Sequence, residues 1–482
     1  MRNLALLTDF YQLTMMNGYL KHNLHNNIMV FDLFFRRNPG GSSYTIITGI
    51  EQAIDYIENL QFTEEDLNYL RGLDFEEEFL NALKNFKFSG TIYSVPEGSV
   101  MFPGEPVLRV KAPAFEAQLI ETALLNIINF QSLIATKASR ICEVTEGEPV
   151  FEFGLRRAQG PDAGIYGARA AVIGGCSSTS NVLAGRRFDI PVVGTQAHSW
   201  IQAFDTELDA FRAYANSYPD TCLLLVDTYD TLKSGVPNAI TVFNELREKG
   251  YEAKGIRIDS GDIAYLSKEA RKMLDAAGFP HVSIIASSDL DEETIHSLKM
   301  QKSAVNGWGV GTNLITSSNC PALGGVYKLS AIEKDDQLIP KIKISENPDK
   351  ITNPGYKKVV RIYDGDNGKA QADLVMLEEE TIDTNSPLTI FHPIYTWKTK
   401  TFTNYRIREM LIPLYVDGEL VYPRKTVTEI KKYAAEELNS LWPEYKRLDR
   451  PQLYKVDLSK KLWDLKHSMV NTYKESQKRG SL

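Results

Sequence analysis

The sequence predicts an α/β protein: an irregular βα-barrel carrying a β-rich N-terminal domain and a C-terminal α+β lobe. Three observations predict it. Residues 253–314 hold three short apolar runs, Gly255–Ile258, Val282–Ala286 and Trp308–Val310, separated by helical patterns. The same alternation reaches upstream to Val150, at intervals suited to repeated βα units. After Gly325 the chain changes to alternating apolar and polar residues with D-D-Q, N-P-G and D-G-D-N-G turns, the pattern of hairpins. A doubly wound parallel sheet would show the same alternation and stays open as the second topology.

Taken in order, residues 8–20 (TDFYQLTMMNGYL) read as a helix with Thr8 as cap, and residues 28–35 as a strand. A glycine-rich turn, Asn38–Ser43, precedes helices near 49–59 and 63–85. Residues 88–112 are short strands broken by P-E-G and P-G-E-P turns, hence antiparallel. Residues 114–141 are apolar nearly all round and predict one central buried helix. Gln118, Glu121, Asn126, Asn129 and Gln131 argue against a membrane span there.

The repeat predicts strands at Val150–Gly154, Ile190–Thr195, Cys222–Asp227, Gly255–Ile258, Val282–Ala286 and Trp308–Val310, with helices near 163–175, 203–216, 237–249, 262–277 and 291–300. Asp262 stands where an N-cap belongs, and Gly278 where a left-handed residue ends a helix. Pro237 and Gly250 delimit another helix. Residues 425–447 and 457–478 read as helices. Domains follow at 1–140, 141–325 and 326–482, the first sharing part of 326–377 through a discontinuous sheet.

The 482 residues, 43% hydrophobic and 24% charged, suit a globular protein of enzyme size with two or three domains. A net charge of −8 gives no footprint for nucleic acid or an anionic membrane. Cys142, Cys176, Cys222 and Cys320 form no C-x-x-C pair, which points to reduced thiols in a cytoplasmic protein without a zinc site. No charged n-region and apolar run open the chain, so no signal peptide is expected. G-x-S-x-G and G-x-x-x-x-G-K-[ST] are both absent, against a serine hydrolase or a P-loop fold.

Polar residues cluster where strands end. Arg156 and Arg157 follow the first strand, His198 the second, Asp227 and Thr228 the third. Arg257, Asp259 and Ser260 follow the fourth, Ser287, Ser288 and Asp289 the fifth, and Gly309, Gly311 and Thr312 end the sixth. Parallel α/β sheets bind ligands at the carboxyl ends of their strands. Arginine forks, small residues and free amides before helices suit phosphate, and carboxylates suit ribose hydroxyls or magnesium. Each Asp or Ser taken alone is equally a helix cap, and His198 taken alone is more readily a histidine bonded to a loop carbonyl. In a barrel Asp227 would stand beside His198 and fix its tautomer, making the imidazole a base or a nucleophile.

Eight stretches in order resemble one known family: TDFYQLTM at 8–15, FEFGLRRAQG at 151–160, GTQAHSW at 194–200, VDTYDT at 226–231, IRIDSGD at 256–262, SSDLDE at 287–292, WGVGTNL at 308–314 and GGVYKL at 324–329. The chain resembles the nicotinate phosphoribosyltransferases over nearly its whole length. The resemblance implies that nicotinate and phosphoribosyl pyrophosphate give nicotinate mononucleotide and pyrophosphate, coupled to ATP hydrolysis through phosphorylation of His198. It implies that Asp227 orients His198 and that Arg257 and Asp259 engage the phosphoribosyl group or its pyrophosphate. Ser288 and Asp289 then lie near the ribose, and Gly309, Gly311 and Thr312 at its 5′-phosphate. Magnesium arrives on the pyrophosphate oxygens, with no protein ligand named. Phe153 stacks on the pyridine ring, and Tyr11 comes from the other subunit of a homodimer whose active site is shared. Asn181, in the acid-free stretch SSTSN, is placed near the nicotinate carboxylate, where an acid would repel it. A nicotinamide or quinolinate transferase, or a non-catalytic nucleotide sensor, remain the competing readings.

Overall fold

The βα alternation folds as one parallel sheet. Its strands are Val150–Glu152, Ser178–Thr179, Leu223–Leu225, Gly255–Ile258, Ser283–Ser288 and Gly307–Val310. In space they run 178–179, 150–152, 307–310, 283–288, 255–258, 223–225, and every neighbouring pair is parallel. Ile256, Ile258, Ile284, Ala286, Trp308 and Val310 are fully buried, the near-continuous apolar composition a parallel sheet needs. Helices Pro161–Ile173, Glu207–Ser217, Val236–Glu248, Ile263–Ala276 and Glu292–Met300 fill the intervals. Asp262 accepts from the Tyr265 amide at 3.0 Å, and Gly278 adopts φ +82°, so both ends of that helix form as read.

The computed structural model describes residues 3–347 and 350–480. This sheet belongs to one of two units, residues 134–321 with 426–432. Two corrections concern its edge. The apolar run Ile190–Thr195 is not a strand; it makes a single parallel bridge, Val192 to Thr179. Pro191 has no amide hydrogen to extend a ladder. The polar pair Ser178–Thr179 is a strand instead.

Among the described residues no ladder joins the two outer strands, 178–179 and 223–225. The 190–196 segment stands between them. With its amide turned to suit its neighbours, the Gln196 side chain donates to Leu223 O (3.0 Å) and accepts from Leu225 N (3.3 Å). The sheet is therefore not a continuously hydrogen-bonded barrel.

The other unit comprises the residues up to 133, 322–425 and those from 433 onward. Its main sheet is antiparallel and seven-stranded, in the order Gln337–Pro340, Gly325–Lys334, Ile28–Phe35, Leu108–Pro113, Thr91–Ser94, Ile412–Val416, Glu419–Leu420. A second sheet orders Tyr405–Glu409, Lys357–Asp364, Ala370–Leu377 and Val456–Leu458. Arg361, fully buried, donates to Asp373 (2.7 Å), Glu437 (3.0 Å) and Val100 O (2.7 Å). Two carboxylates and a carbonyl thus compensate a guanidinium that burial would otherwise penalise heavily.

Four helix readings are corrected here. Residues 63–85 form two helices, Glu64–Arg71 and Glu77–Lys84, parted at Gly72 and at Asp74 with φ +62°. Asp9, not Thr8, precedes the helix Phe10–Lys21, with no side-chain cap bond. The central apolar stretch divides into Ala114–Leu119 and Glu121–Val144. Residues 425–447 divide into Val427–Ser440 and Pro443–Lys446, while the last helix runs Lys460–Gly480. No helix among the described residues is long and apolar enough to cross a membrane.

Candidate active site

The carboxyl ends of adjacent strands bring four predicted residues together. Asp227 follows Leu223–Leu225 and is 9% exposed. Its Oδ2 accepts from the Asp259 amide (2.8 Å) and from Ser260 Oγ (2.7 Å). Its Oδ1 is buried without a protein partner. Asp259 follows the neighbouring strand Gly255–Ile258 and accepts from Ser287 Oγ, which comes from the next strand along. One acid thus fixes the loop that carries the other.

His198 opens the short helix His198–Gln202. Its Nδ1 lies 3.1 Å from Thr228 Oγ1, and its Nε2 lies 3.8 Å from Asp259 Oδ2. The expectation that Asp227 orients this ring is overturned. Strand 223–225 pairs with strand 255–258, so Asp227 turns toward the 259–260 turn, and Thr228 takes the imidazole.

Arg257 donates to Thr195 Oγ1 (2.6 Å) and to the Gln196 carbonyl (3.1 Å). Its Nε is buried and unpartnered. Burial pulls its pKa down, Asp259 and Asp227 hold it up, and Arg156 pulls it down further. An anion at this point would satisfy a cation that the protein leaves partly uncompensated. Arg156 and Arg157 lie exposed on the turn Leu155–Arg157.

Phe153 continues the strand Val150–Glu152, its amide bonded to Val310 O at 2.8 Å. Its ring lies against Gly309: a Cβ there would stand 2.7 Å from Phe153 Cε2. Gly311 caps the turn Thr312–Ile315, and a Cβ on it would meet Phe153 O at 3.3 Å. Both glycines allow close approach. Ser288 ends its strand at φ +145°, a region L-residues rarely adopt, and with Asp289 it is exposed.

Asn181 is 2% exposed. Its Oδ1 accepts from Ala184 N (3.1 Å), capping the helix Val182–Phe188, and its Nδ2 donates to Gly164 O (3.1 Å). The side chain is thus largely committed to the backbone rather than held open as a donor. Tyr11 belongs to the other unit, about half exposed on the helix Phe10–Lys21.

Sequence reasoning missed Glu152. It is fully buried, accepts from Gly154 N and Thr179 Oγ1, and burial raises its pKa. A lone acid between Phe151 and Phe153 was the available signal. Among the described residues no group of three or more His, Cys, Asp or Glu side chains is arranged to hold a metal.

Sequence comparison decides what this site belongs to. Residues 149–384 match the nicotinate phosphoribosyltransferase (NAPRTase) family, residues 6–129 its N-terminal domain and residues 356–466 its C-terminal domain. The chain belongs to the nicotinate phosphoribosyltransferase family. It is 49% identical over 473 residues to nicotinate phosphoribosyltransferase from Bacillus subtilis (strain 168), covering 98% of this chain and 96% of the relative. The human enzyme of the same name is 33% identical, with 96% of each chain covered. A crystal structure of human nicotinic acid phosphoribosyltransferase superposes with a TM-score of 0.84 at 31% identity, covering 96% of this chain and all of the other. The strand ends described above all fall within the 149–384 match.

Proposed function

We propose that this chain transfers the phosphoribosyl group of phosphoribosyl pyrophosphate to nicotinate, in NAD biosynthesis. The pyridine nitrogen bonds to C1′ of the ribose as the bond from C1′ to the pyrophosphate oxygen breaks, leaving nicotinate mononucleotide and pyrophosphate. Family membership supports the reaction class. The observation that carries the site is the meeting of His198, at the start of its short helix, with Asp259, Asp227 and Arg257 from two adjoining strands.

Arg257 receives an anionic oxygen of the phosphoribosyl donor, with Arg156 near enough in space to act on its charge and Arg157 next to Arg156 in the chain. The Phe153 ring stacks on the pyridine, and Gly309, Gly311 and Thr312 provide a narrow floor and helix-start amides for the 5′-phosphate. Ser288 and Asp289 face the ribose. Magnesium travels with the pyrophosphate and neutralises its charge when bound. The free Oδ1 of Asp227 and the neighbouring Asp259 suit its water shell.

His198 is read as the phosphate acceptor. With its proton on Nδ1 and donated to Thr228 Oγ1, Nε2 keeps its lone pair. That lone pair bonds to the γ-phosphorus of ATP as ADP leaves, and water later hydrolyses the phosphohistidine. The active unit is a homodimer. Phe10, Tyr11 and Met15 form an exposed apolar face on their helix, and Leu155, Val182 and Leu183 are exposed in the other unit. Four free cysteines fit a cytoplasmic setting.

A steady-state assay with magnesium and phosphoribosyl pyrophosphate, offering nicotinate, nicotinamide or quinolinate with and without ATP, tests the reading. Nicotinate turnover stimulated by ATP is expected. γ-Labelled ATP should leave acid-labile label on the protein, and His198→Asn should abolish both label and stimulation while keeping some basal transfer. Label persisting in that variant would move the acceptor elsewhere.

A further inference from the structure

The gap between strands 178–179 and 223–225 lies beside His198 and Arg257, and one side chain spans part of it. Cys222 O and Val226 N bond toward strand 255–258. The carbonyl of Leu223 and the amide of Leu225 therefore face the opposite, open edge. In a parallel sheet, one residue of the next strand would donate to the first and accept from the second. The Gln196 carboxamide makes that pair of bonds itself, at 3.0 and 3.3 Å, from a side chain 6% exposed.

The same residue is tied to the chemistry through its backbone. Its carbonyl accepts from Arg257 Nη2 at 3.1 Å, Thr195 Oγ1 accepts from Arg257 Nη1 at 2.6 Å, and the helix bearing His198 begins two residues on. No ladder supports this stretch, because the 190–196 segment makes only the Val192 bridge. We infer that Gln196 is a positioning residue: its side chain takes the place of a missing strand residue on Leu223–Leu225 and thereby fixes Arg257 and His198 together. An apolar side chain of similar size fills the space but can neither donate nor accept.

This inference rests on the roles given above to Arg257 and His198. Gln196→Leu keeps bulk and removes both bonds. Its KM for phosphoribosyl pyrophosphate should rise, and its ATP stimulation fall, by about tenfold or more, while KM for nicotinate stays within about twofold. Gln196→Glu supplies a signature that packing alone does not. Ionised, its carboxylate repels Leu223 O; protonated, its O–H donates there and its C=O accepts from Leu225 N. Its activity relative to the unsubstituted enzyme should therefore recover as pH is lowered, with KM for phosphoribosyl pyrophosphate recovering alongside.

Unchanged kinetics in a folded Gln196→Leu protein would overturn the inference. So would a uniform loss in which nicotinate KM rises in step with a falling Tm. Should Gln196→Leu fail to fold, the Gln196→Glu pH series decides, and a flat ratio across pH refutes it. If His198 proves unlabelled by ATP while Gln196→Leu still raises KM for phosphoribosyl pyrophosphate, the phosphohistidine reading falls and this one stands.

Discussion

Gly309→Ala tests the proposed stacking of Phe153 on the base without touching any charge. Gly309 is buried in the strand Gly307–Val310, and its backbone is outside the left-handed region, so alanine is conformationally acceptable there. The cost is steric. The new Cβ would lie 2.7 Å from Phe153 Cε2, 2.8 Å from Cδ2 and 3.2 Å from Ser287 Cβ. Ordinary carbon contacts are ~3.5–4.0 Å, so the ring must retreat by about 1 Å. Overpacking of this kind costs about 1–3 kcal/mol. If that strain is expressed when the pyridine must stack, kcat/KM for nicotinate falls about ten- to a hundredfold. KM for phosphoribosyl pyrophosphate should rise less than the nicotinate effect, since the added methyl meets the Phe153 ring first while the helix-start amides of the 5′-phosphate floor stay in place. Steady-state kinetics with each substrate varied in turn read the split, and a thermal melt confirms folding. Gly278→Ala is the control: its φ of +82° strains alanine, yet the nearest neighbour of the new Cβ would be Arg247 Nη1 at 3.8 Å. It should lose about 1–2 kcal/mol of stability with unchanged kinetics. A folded Gly309→Ala enzyme with the original nicotinate KM would refute the placement of Phe153 over the base.

Three further outcomes are expected. Asp227→Asn can keep both bonds from the 259–260 turn on its remaining oxygen, so its Tm should hold while kcat falls through loss of charge beside Arg257; Asp227→Ala should lose stability as well, by about 1–3 kcal/mol. Because burial raises the Glu152 pKa, the folded state keeps its proton where the unfolded chain has lost it. Its contribution is full below the ordinary carboxyl range and declines as pH rises toward the raised value, so the stability of Glu152→Gln relative to the unsubstituted protein should increase from acid to neutral pH in denaturant titrations. Arg361→Met should destabilise the protein by about 3–5 kcal/mol, since Asp373 is left buried without its cation and Glu437 keeps only Arg408.

The sequence showed the strand ends because chemistry and periodicity coincide there: Asp259 and Ser288 follow, and Arg257 and Gly309 stand next to last in, an apolar run too short for a helix. It misjudged neighbours. Asp227 and His198 follow successive apolar runs, but spatial order, not chain order, sets which side chains meet, and Asp227 faces Asp259 and Ser260 instead. Ile190–Thr195 looks like a strand by composition alone, whereas ladder formation depends on amides that Pro191 lacks. Ser178–Thr179 is a strand held by its neighbours, with no apolar signal of its own. Asn181 was readable as polar, but its capping bond depends on where the helix Val182–Phe188 begins. The Arg361 network joins positions 100, 361, 373 and 437, and no local pattern reports partners so far apart.

The register of the seven-stranded sheet sets an order of events during synthesis. Ile28–Phe35 finds Leu108–Pro113 early on one side, but its other neighbour is Gly325–Lys334, and the Ser330 hydroxyl reaches the Val30 carbonyl across 300 residues of chain. At ribosomal speeds of about 5–20 residues per second, that edge waits roughly 15–60 s for its partner. A nascent chain therefore emerges with an unprotected template for mispairing, while residues 134–321 already hold every strand of the parallel sheet. Messages truncated before residue 325 should yield aggregates rather than a soluble half-enzyme.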